Sequence, residues 1–443
     1  AGDGVAPFIA VDQEGGSVQR LHAGIAQLPG AMAFGAARSR DLVRDAGDSV
    51  GRSLSALGFT MNLSPVLDVL SNPANTALGT RAFSSDPELV ASLGSAFIQG
   101  ELNGGIIPVA KHFPGQGGTA GDSHYTLPVL DRTRKELEAR ELVPFRAAIA
   151  AGVPGIMTAH ISVPRVAETP DTPATTSHRL LTDILRKSLR FDGLIITDEL
   201  QMRAVQRGRK IGDVAVDALL AGADMVMIVW DHRDREEIYA ALKAAYASGR
   251  LPRAVVDRAV RRILAAKAAQ AKRRADFPPT AAEQAGLVER IAEAAVTLRP
   301  PQKVAPPTVE GAVFIGVDGP LRQRFAAAPW MPSPPRVDEV IVERVLRMSS
   351  GARTIVAAVA SDNDRLLLMR LRRLLPEPRL LIVCMGSPQL VAGIDNPEAV
   401  IYTYSDLFPF QEAAAKVLLD GNAARGTLPV PSPQGDGPTH HSL

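Results

Sequence analysis

The chain has 443 residues, 46% of them hydrophobic and 22% charged, a globular composition that excludes a disordered or fibrous protein. Lys and Arg number 49 against 47 Asp and Glu, a net charge of only +2, so no global field draws in nucleic acid or an anionic membrane. The single cysteine, Cys384, excludes an internal disulfide and a cysteine-based metal cluster, and no apolar run approaches the roughly 20 residues of a membrane span.

At about 150 residues per domain the length allows three domains, but a large α/β barrel counts as one, so two are expected. The opening, AGDGVAPFIAVDQEGG, has no basic or apolar leader, and no targeting signal is visible there. Six short apolar runs then read as strands: Ala6–Val11, Thr60–Leu63, Ile106–Ala110, Gly155–Ala159, Leu194–Thr197 and Met225–Val229. Most lack strict alternation, as parallel strands covered on both faces do. Helical patterns lie between them at Arg40–Leu57, Pro87–Asn103, Arg134–Ala151, His178–Leu189 and Ile211–Ala221. This repeated alternation predicts a parallel α/β domain.

Arg253–Ala275 reads as a basic amphipathic helix with Val256, Val260, Ile263 and Leu264 on its packed face. Nucleic-acid binding through it conflicts with the near-zero net charge. Proline pairs at 278–279, 300–301 and 306–307 bracket one more helix and mark a linker. A second, smaller α/β domain follows from about residue 309, with strands at Ala312–Val317, Thr354–Ala360, Leu380–Met385 and Ala399–Tyr402. The expected organisation is a parallel α/β domain over 1–275, a linker over 276–308, a second α/β domain over 309–431 and a flexible tail over 432–443.

Polar residues gather just after the strands of the first domain. Asp12-Gln13-Glu14 follows the first and Asn62 ends the second, with Asp68 nearby. Lys111-His112 follows the third, His160 the fourth and Asp198-Glu199 the fifth. Carboxyl ends of parallel strands face the ligand, and in barrels they carry the catalytic groups. A helix cap explains one such cluster (Asp198 could cap the next helix), but not five in register.

The densest segment is KHFPGQGGTAGDSH, residues 111–124. Its glycines allow positive φ and close backbone approach to a ligand. Asp122 and His124 lie two apart, near enough in a tight loop for the carboxylate to orient the imidazole. Such an orienting carboxylate fixes the tautomer and raises the histidine's pKa, which prepares a general acid/base. An ordinary turn in which Asp122 caps a helix is the competing reading. Metal binding by His112 and His124 is disfavoured because neither H-E-x-x-H nor a cysteine set is present. The loop is not a P-loop, and Ser123 lacks the G-x-S-x-G context of a hydrolase nucleophile. Asp198, in LIITDELQM, is a carboxylate at a strand end, a position from which it can attack an anomeric carbon. Asp12, Arg20, Arg81 and Lys111 offer charges and hydrogen bonds suited to sugar hydroxyls.

The segments VDQEGGSVQRL (11–21), NLSPVLDV (62–69), GTRAFSSDP (79–87), KHFPGQGGTAGDSH (111–124) and GLIITDELQM (193–202) resemble glycoside hydrolase family 3. They are most similar to its β-N-acetylglucosaminidase (β-N-acetylhexosaminidase) branch, the NagZ-type peptidoglycan-recycling enzymes. The resemblance runs to about residue 275, and the second domain, ending in GTLPVP (426–431), resembles the α/β sandwich of two-domain members. The Asp-Ser-His of the glycine-rich loop is the specific motif; the family's β-glucosidases lack it and use a distant Glu. The resemblance implies a TIM-type (β/α)8 barrel followed by an α/β sandwich. It implies Asp198 as nucleophile, His124 as general acid and then base, and Asp122 as its orienting group. It implies sugar contacts from Asp12, Arg20, Arg81, Lys111 and His112, with no metal and no organic cofactor.

Two departures stand out. Gln116 occupies a loop position that is usually His or Leu, which bears on loop mobility more than on proton transfer. Family members also have two barrel strands before the one ending in DQEGG, and this sequence has none. The first two strands are therefore expected to be missing, or the barrel to be open, with strand edges near Ala6 and Met225 exposed. The expected partner is an N-acetylglucosamine-containing saccharide or muropeptide. Phosphorolysis is an alternative reaction, because a neutral His repels phosphate less than Glu would. An inactive sugar-binding protein is the alternative of another class. Composition and motifs leave oligomeric state and compartment open.

Overall fold

The computed structural model describes residues 5–121, 126–229, 231–273, 277–301 and 304–433. The chain forms two compact units, one of Ala1–Glu14, Val18–Ala26 and Val43–Gln284, the other of Gly15–Ser17, Gln27–Leu42 and Ala285–Leu443.

The first unit is built on a six-stranded sheet whose strands lie in chain order. They are Ala10–Val11, Met61–Asn62, Ile107–Phe113, Gly155–Thr158, Leu194–Glu199 and Met225–Met227, and every neighbouring pair is parallel. This is the parallel αβ domain expected of the family barrel, with Ala10–Val11 and Met225–Met227 as the end strands of the sheet. Met61, Leu63, Ile107, Val109, Met157, Leu194 and Ile196 form one buried cluster on a single face. The period of two along a strand then carries that face onward. After Ile107 and Val109 comes Lys111, and after Leu194 and Ile196 comes Asp198. The same alternation that builds the apolar core thus delivers a cation and an acid to the carboxyl end of its face. The third and fifth strands run further than the sequence suggested, so Lys111, His112, Asp198 and Glu199 belong to strands.

Helix termini follow their local chemistry. Pro87–Asn103 starts on Asp86, whose carboxylate accepts the Glu88 amide at 3.0 Å, with Pro87 in the first turn where its missing N–H costs nothing. The single helix expected over Arg134–Ala151 is instead two, Arg134–Ala139 and Leu142–Ala150. Pro144 explains the break: it lacks an N–H and its ring collides with the carbonyl four residues earlier, at Arg140. Ile211–Ala221 has the expected bounds and is followed by Gly222 with φ 125°.

The Arg253–Ala271 helix lies across the amino ends of the strands. Arg262 bonds Asp192 and Asp224, each at 3.2 Å, Lys267 donates to the Ala6 carbonyl at 2.5 Å, and Gln270 to the Gly105 carbonyl at 2.8 Å. Its basic residues therefore satisfy loops that precede strands. Of its expected packed face, Val256 and Ile263 pack against apolar clusters, whereas Val260 and Leu264 stay exposed. Among the described residues no helix is long and apolar enough to cross a membrane.

The second unit contains another six-stranded sheet, in the order Trp330–Met331, Ala312–Gly316, Thr354–Val359, Arg379–Cys384, Ala399–Tyr402 and Thr297–Arg299. The first five are mutually parallel and the last is antiparallel. The segment 276–308 supplies both the Ala281–Ala295 helix and the antiparallel edge strand Thr297–Arg299. Residues 27–42 also join this unit, and the Thr427 amide donates to the Ala36 carbonyl at 3.0 Å.

Two helices of the first unit meet backbone to backbone. A Cβ on Gly47 of the Arg40–Ala56 helix would lie 2.4 Å from the Phe97 carbonyl oxygen, and one on Gly100 would lie 2.2 Å from that of Arg44. Gly100→Ala is expected to lower stability by about 1–3 kcal/mol through overpacking. Gly286→Ala, where a Cβ meets nothing within 4 Å, is expected to be neutral or to gain about 0.5–1 kcal/mol from helix propensity. Urea unfolding of the two variants checks both, and equal stability would contradict the close crossing.

Candidate active site

The site gathers around Lys111. Its ammonium is buried, with 3% of the side chain exposed, and lies 2.8 Å from Asp12 Oδ1 and 2.6 Å from Glu14 Oε1. Arg81 closes the other side of Glu14 with a two-pronged contact, Nε to Oε2 and one terminal nitrogen to Oε1, both 2.8 Å. Burial alone would push the Glu14 carboxyl up, but Lys111 and Arg81 outweigh it and hold the group at about 2. Burial likewise opposes charge on Lys111 and Arg81, yet both are raised above their ordinary values, Lys111 chiefly by Glu14 and Asp12 and Arg81 by Glu14. Each charge here is affordable only because the others are present.

The chain just after the first strand, where Asp12 lies, is tied to the second strand by a side chain that imitates a peptide. Asn62 Oδ1 accepts the Gln13 amide at 3.0 Å, and Asn62 Nδ2 donates to the Gln13 carbonyl at 3.1 Å. The pairing between Ala10–Val11 and Met61–Asn62 is thus extended through a side chain to Gln13, two residues beyond Val11 and between Asp12 and Glu14. The Gln13 side chain then accepts the amides of Arg20 at 3.0 Å and Leu21 at 3.1 Å.

A second group surrounds His112. Its Nδ1 donates to Asp68 Oδ2 at 2.7 Å, which fixes the tautomer. Asp68 Oδ1 accepts the Gln116 amide at 2.7 Å, and the Gln116 side-chain amide lies 3.1 Å from His112 Nδ1. Gln116 therefore ties the glycine-rich loop to Asp68. The peptides Lys111–His112 and Phe113–Pro114 are cis.

Asp198 is the penultimate residue of the fifth strand, and its Oδ1 accepts the Glu199 amide at 2.8 Å. Burial works against its ionisation, but His160, His112, that amide and Lys111 together keep its pKa below the ordinary carboxylate value. His160 is fully buried; its Nε2 donates to the Glu199 carbonyl at 2.8 Å, and its Nδ1 lies 2.7 Å from the Thr175 hydroxyl. The field of Asp198 also reaches Arg81. One electrostatic neighbourhood therefore joins the Asp198 carboxylate to Arg81, Lys111, His112 and His160.

Of the residues singled out in the sequence, Asp12, Arg81, Lys111, His112 and Asp198 converge here. Arg20 is exposed and joins through its backbone amide. Asp122 and His124 lie outside the described residues. The sequence clustered Glu14, Asn62, Asp68 and His160 at strand ends without assigning them work. Glu101, on the Pro87–Asn103 helix, was missed: it accepts from Asn62 Nδ2 at 2.5 Å. Thr175 was missed as well.

A parallel αβ sheet with acids, cations and histidines converging at its carboxyl ends has the layout of a barrel glycoside hydrolase. The chain belongs to glycoside hydrolase family 3, since the model of the glycosyl hydrolase family 3 N-terminal domain matches residues 3–266, more than half of it. It is 36% identical over 247 residues to a beta-hexosaminidase of Nitrosomonas eutropha, covering 54% of this chain and 70% of the relative. It is 38% identical over 240 residues to a beta-hexosaminidase of Pseudomonas aeruginosa, covering 53% and 70%. A solved family 3 β-N-acetylglucosaminidase from Paenibacillus sp. superimposes with a TM-score of 0.86 at 32% identity, over 96% of this chain and 86% of that one.

The Glu14 pKa sets a stability signature. Its folded-state value, about 2, is below the ordinary 4.5. The stabilisation is therefore fully present above about pH 4.5 and is lost as pH falls toward about 2. Glu14→Gln leaves Arg81 and Lys111 without their shared anion and is expected to cost about 3–5 kcal/mol at neutral pH. The gap to wild type should narrow on acidification. Urea midpoints from pH 7 down to 3 check this, and a pH-independent gap would contradict it.

Proposed function

We propose that this chain is a retaining exo-β-N-acetylglucosaminidase that removes terminal N-acetylglucosamine from peptidoglycan-derived muropeptides. The observation that carries the reading is Asp198. It is a strand-end carboxylate kept ionised by His160, His112 and Lys111, beside buried cations and acids that can hold sugar hydroxyls. The beta-hexosaminidase relatives and the Paenibacillus neighbour support the sugar. The resemblance to the NagZ-type branch supports the muropeptide.

On this reading, Asp12, Arg81, Lys111 and His112 hold the sugar's hydroxyls, and the exposed Arg20 extends the contact. All catalytic groups belong to residues 1–275. An Asp198 oxygen attacks the anomeric carbon as its bond to the leaving oxygen breaks. His124, oriented by Asp122, gives its proton to that leaving oxygen. The glycosyl-Asp198 ester is then opened by water, whose proton His124 takes as the new bond forms. Two inversions leave the anomeric configuration retained. A histidine replaces the second carboxylate of the usual scheme, and Asp122 supplies the negative charge that makes it a competent base.

p-Nitrophenyl N-acetyl-β-D-glucosaminide tests the proposal. The full chain should release nitrophenol and give the β-anomer first by proton NMR. Asp198→Ala should lose on the order of 10⁴-fold or more in kcat, and His124→Ala about 10²–10⁴-fold. Turnover that survives Asp198→Ala would overturn the mechanism. Phosphate acceleration with a sugar 1-phosphate product would assign phosphorolysis instead, and tight sugar binding without turnover would assign a binding protein.

A further inference from the structure

Glu101 is a buried acid beside this site that the mechanism does not use. It sits in the last turn of the Pro87–Asn103 helix and is completely buried. Its Oε1 accepts from Asn62 Nδ2 at 2.5 Å, while its Oε2 is buried with no hydrogen-bond partner. The helix holding it is drawn in by the glycine crossing: a Cβ on Gly51 would lie 3.0 Å from the Glu101 carbonyl oxygen, so no side chain intervenes there. The Glu101 carbonyl also accepts the Ile106 amide at 3.2 Å, just before the strand that carries Lys111.

The bonds of Asn62 show what Glu101 is placed to do. The carboxamide has one acceptor and two donors. Oδ1 takes the Gln13 amide, one donor goes to the Gln13 carbonyl, and the other goes to Glu101. A carboxamide rotated by half a turn would present an N–H to the Gln13 amide and lose the pairing. As an acceptor, Glu101 Oε1 favours the observed orientation, because the rotated carboxamide would set Oδ1 against it. Gln13 lies between Asp12 and Glu14, the two acids that hold Lys111.

We infer that Glu101 is a positioning residue: through Asn62 it fixes the Gln13 peptide, and with it the placement of Asp12 and Glu14 about Lys111. The inference rests on the sugar-binding role proposed above for Asp12 and Lys111. Glu101 performs this role as a neutral acid. An ionised oxygen without a donor, in a fully buried place, carries a full desolvation cost. The charged group whose field reaches it is Lys111, and the ammonium's hydrogen bonds go to Asp12 and Glu14. The opposing helix presents the Gly47 and Gly51 backbone. Burial accordingly drives the Glu101 carboxyl well above the ordinary range, against the smaller opposing effects of Asn62 and Lys111. A third anion here would compete with Asp12 and Glu14 for one ammonium; the neutral form leaves Lys111 to them.

The test compares two replacements in the full chain. Glu101→Gln keeps the acceptor oxygen and the neutral charge, so its KM and kcat should stay within about twofold of wild type. Its urea midpoint at about pH 8 should equal or exceed wild type, because no ionisable group remains buried there. Glu101→Leu keeps the bulk and removes the acceptor, so KM should rise about tenfold or more with kcat changed much less. Asn62→Ala removes the same link from the other end and should match it, and the double variant should add little. If Glu101→Leu fails to fold, Asn62→Ala carries the KM measurement. A tenfold loss in Glu101→Gln, or a wild-type KM in both Glu101→Leu and Asn62→Ala, would overturn the inference. Wild-type chain without turnover would instead remove the functional reading on which it rests.

Discussion

A lysine ammonium with almost no contact with water must be neutralised or the fold around it fails. Lys111 meets that condition with two acids, and the second of them, Glu14, is shared with Arg81. Neither cation is stable in that place without Glu14, and Glu14 is not stable there without them. This mutual dependence links three separate stretches of chain: the residues just after the first strand, the 79–81 turn and the third strand. The carboxyl end of the sheet is therefore held by charge as well as by the core beneath it. The arrangement also leaves Asp12 partly exposed, at 31% of its side chain, on the outer side of the pair.

Stability and function are coupled in this arrangement. The apolar face of the strands ends in Lys111 and Asp198, so the core that holds the sheet also aims the two groups. His160 and His112, each fixed by its own hydrogen-bond partner, then bring the Asp198 pKa down. Asn62 extends the first strand pairing and Glu101 locks Asn62. The supporting groups reach back into the packed helix layer, where glycines allow the helices close enough for Glu101 to reach its partner.

Much of this was legible in the sequence, for identifiable reasons. Strand positions followed from short apolar runs, and the placing of polar residues at strand ends followed from the rule that parallel strands present their carboxyl ends to ligand. Motifs such as VDQEGG and LIITDELQM carried the family. The Arg134–Ala151 break was also legible, in Pro144, but the apolar periodicity on either side masked it. Pairings across the fold left no such trace. Glu101 is 39 residues from Asn62, and a glutamate inside a helix reads as a solvated residue. Glu14 stands two residues from Asp12, and only the arrival of Arg81 and Lys111 from elsewhere separates their roles. Gln116 read as a departure from the family loop; in the structure its backbone amide anchors that loop to Asp68. Burial and partnership are properties of the tertiary structure, and residue type alone does not encode them.

The most direct test of the account is a crystal structure of the full chain soaked with N-acetylglucosamine. The account predicts the sugar at the carboxyl end of the first sheet, its hydroxyls within hydrogen-bond distance of Asp12, Arg81 and Lys111. Its anomeric carbon should face the Asp198 carboxylate, with the contacts of Lys111 to Asp12 and Glu14 intact. A sugar bound elsewhere, or one whose anomeric carbon faces away from Asp198, would contradict it.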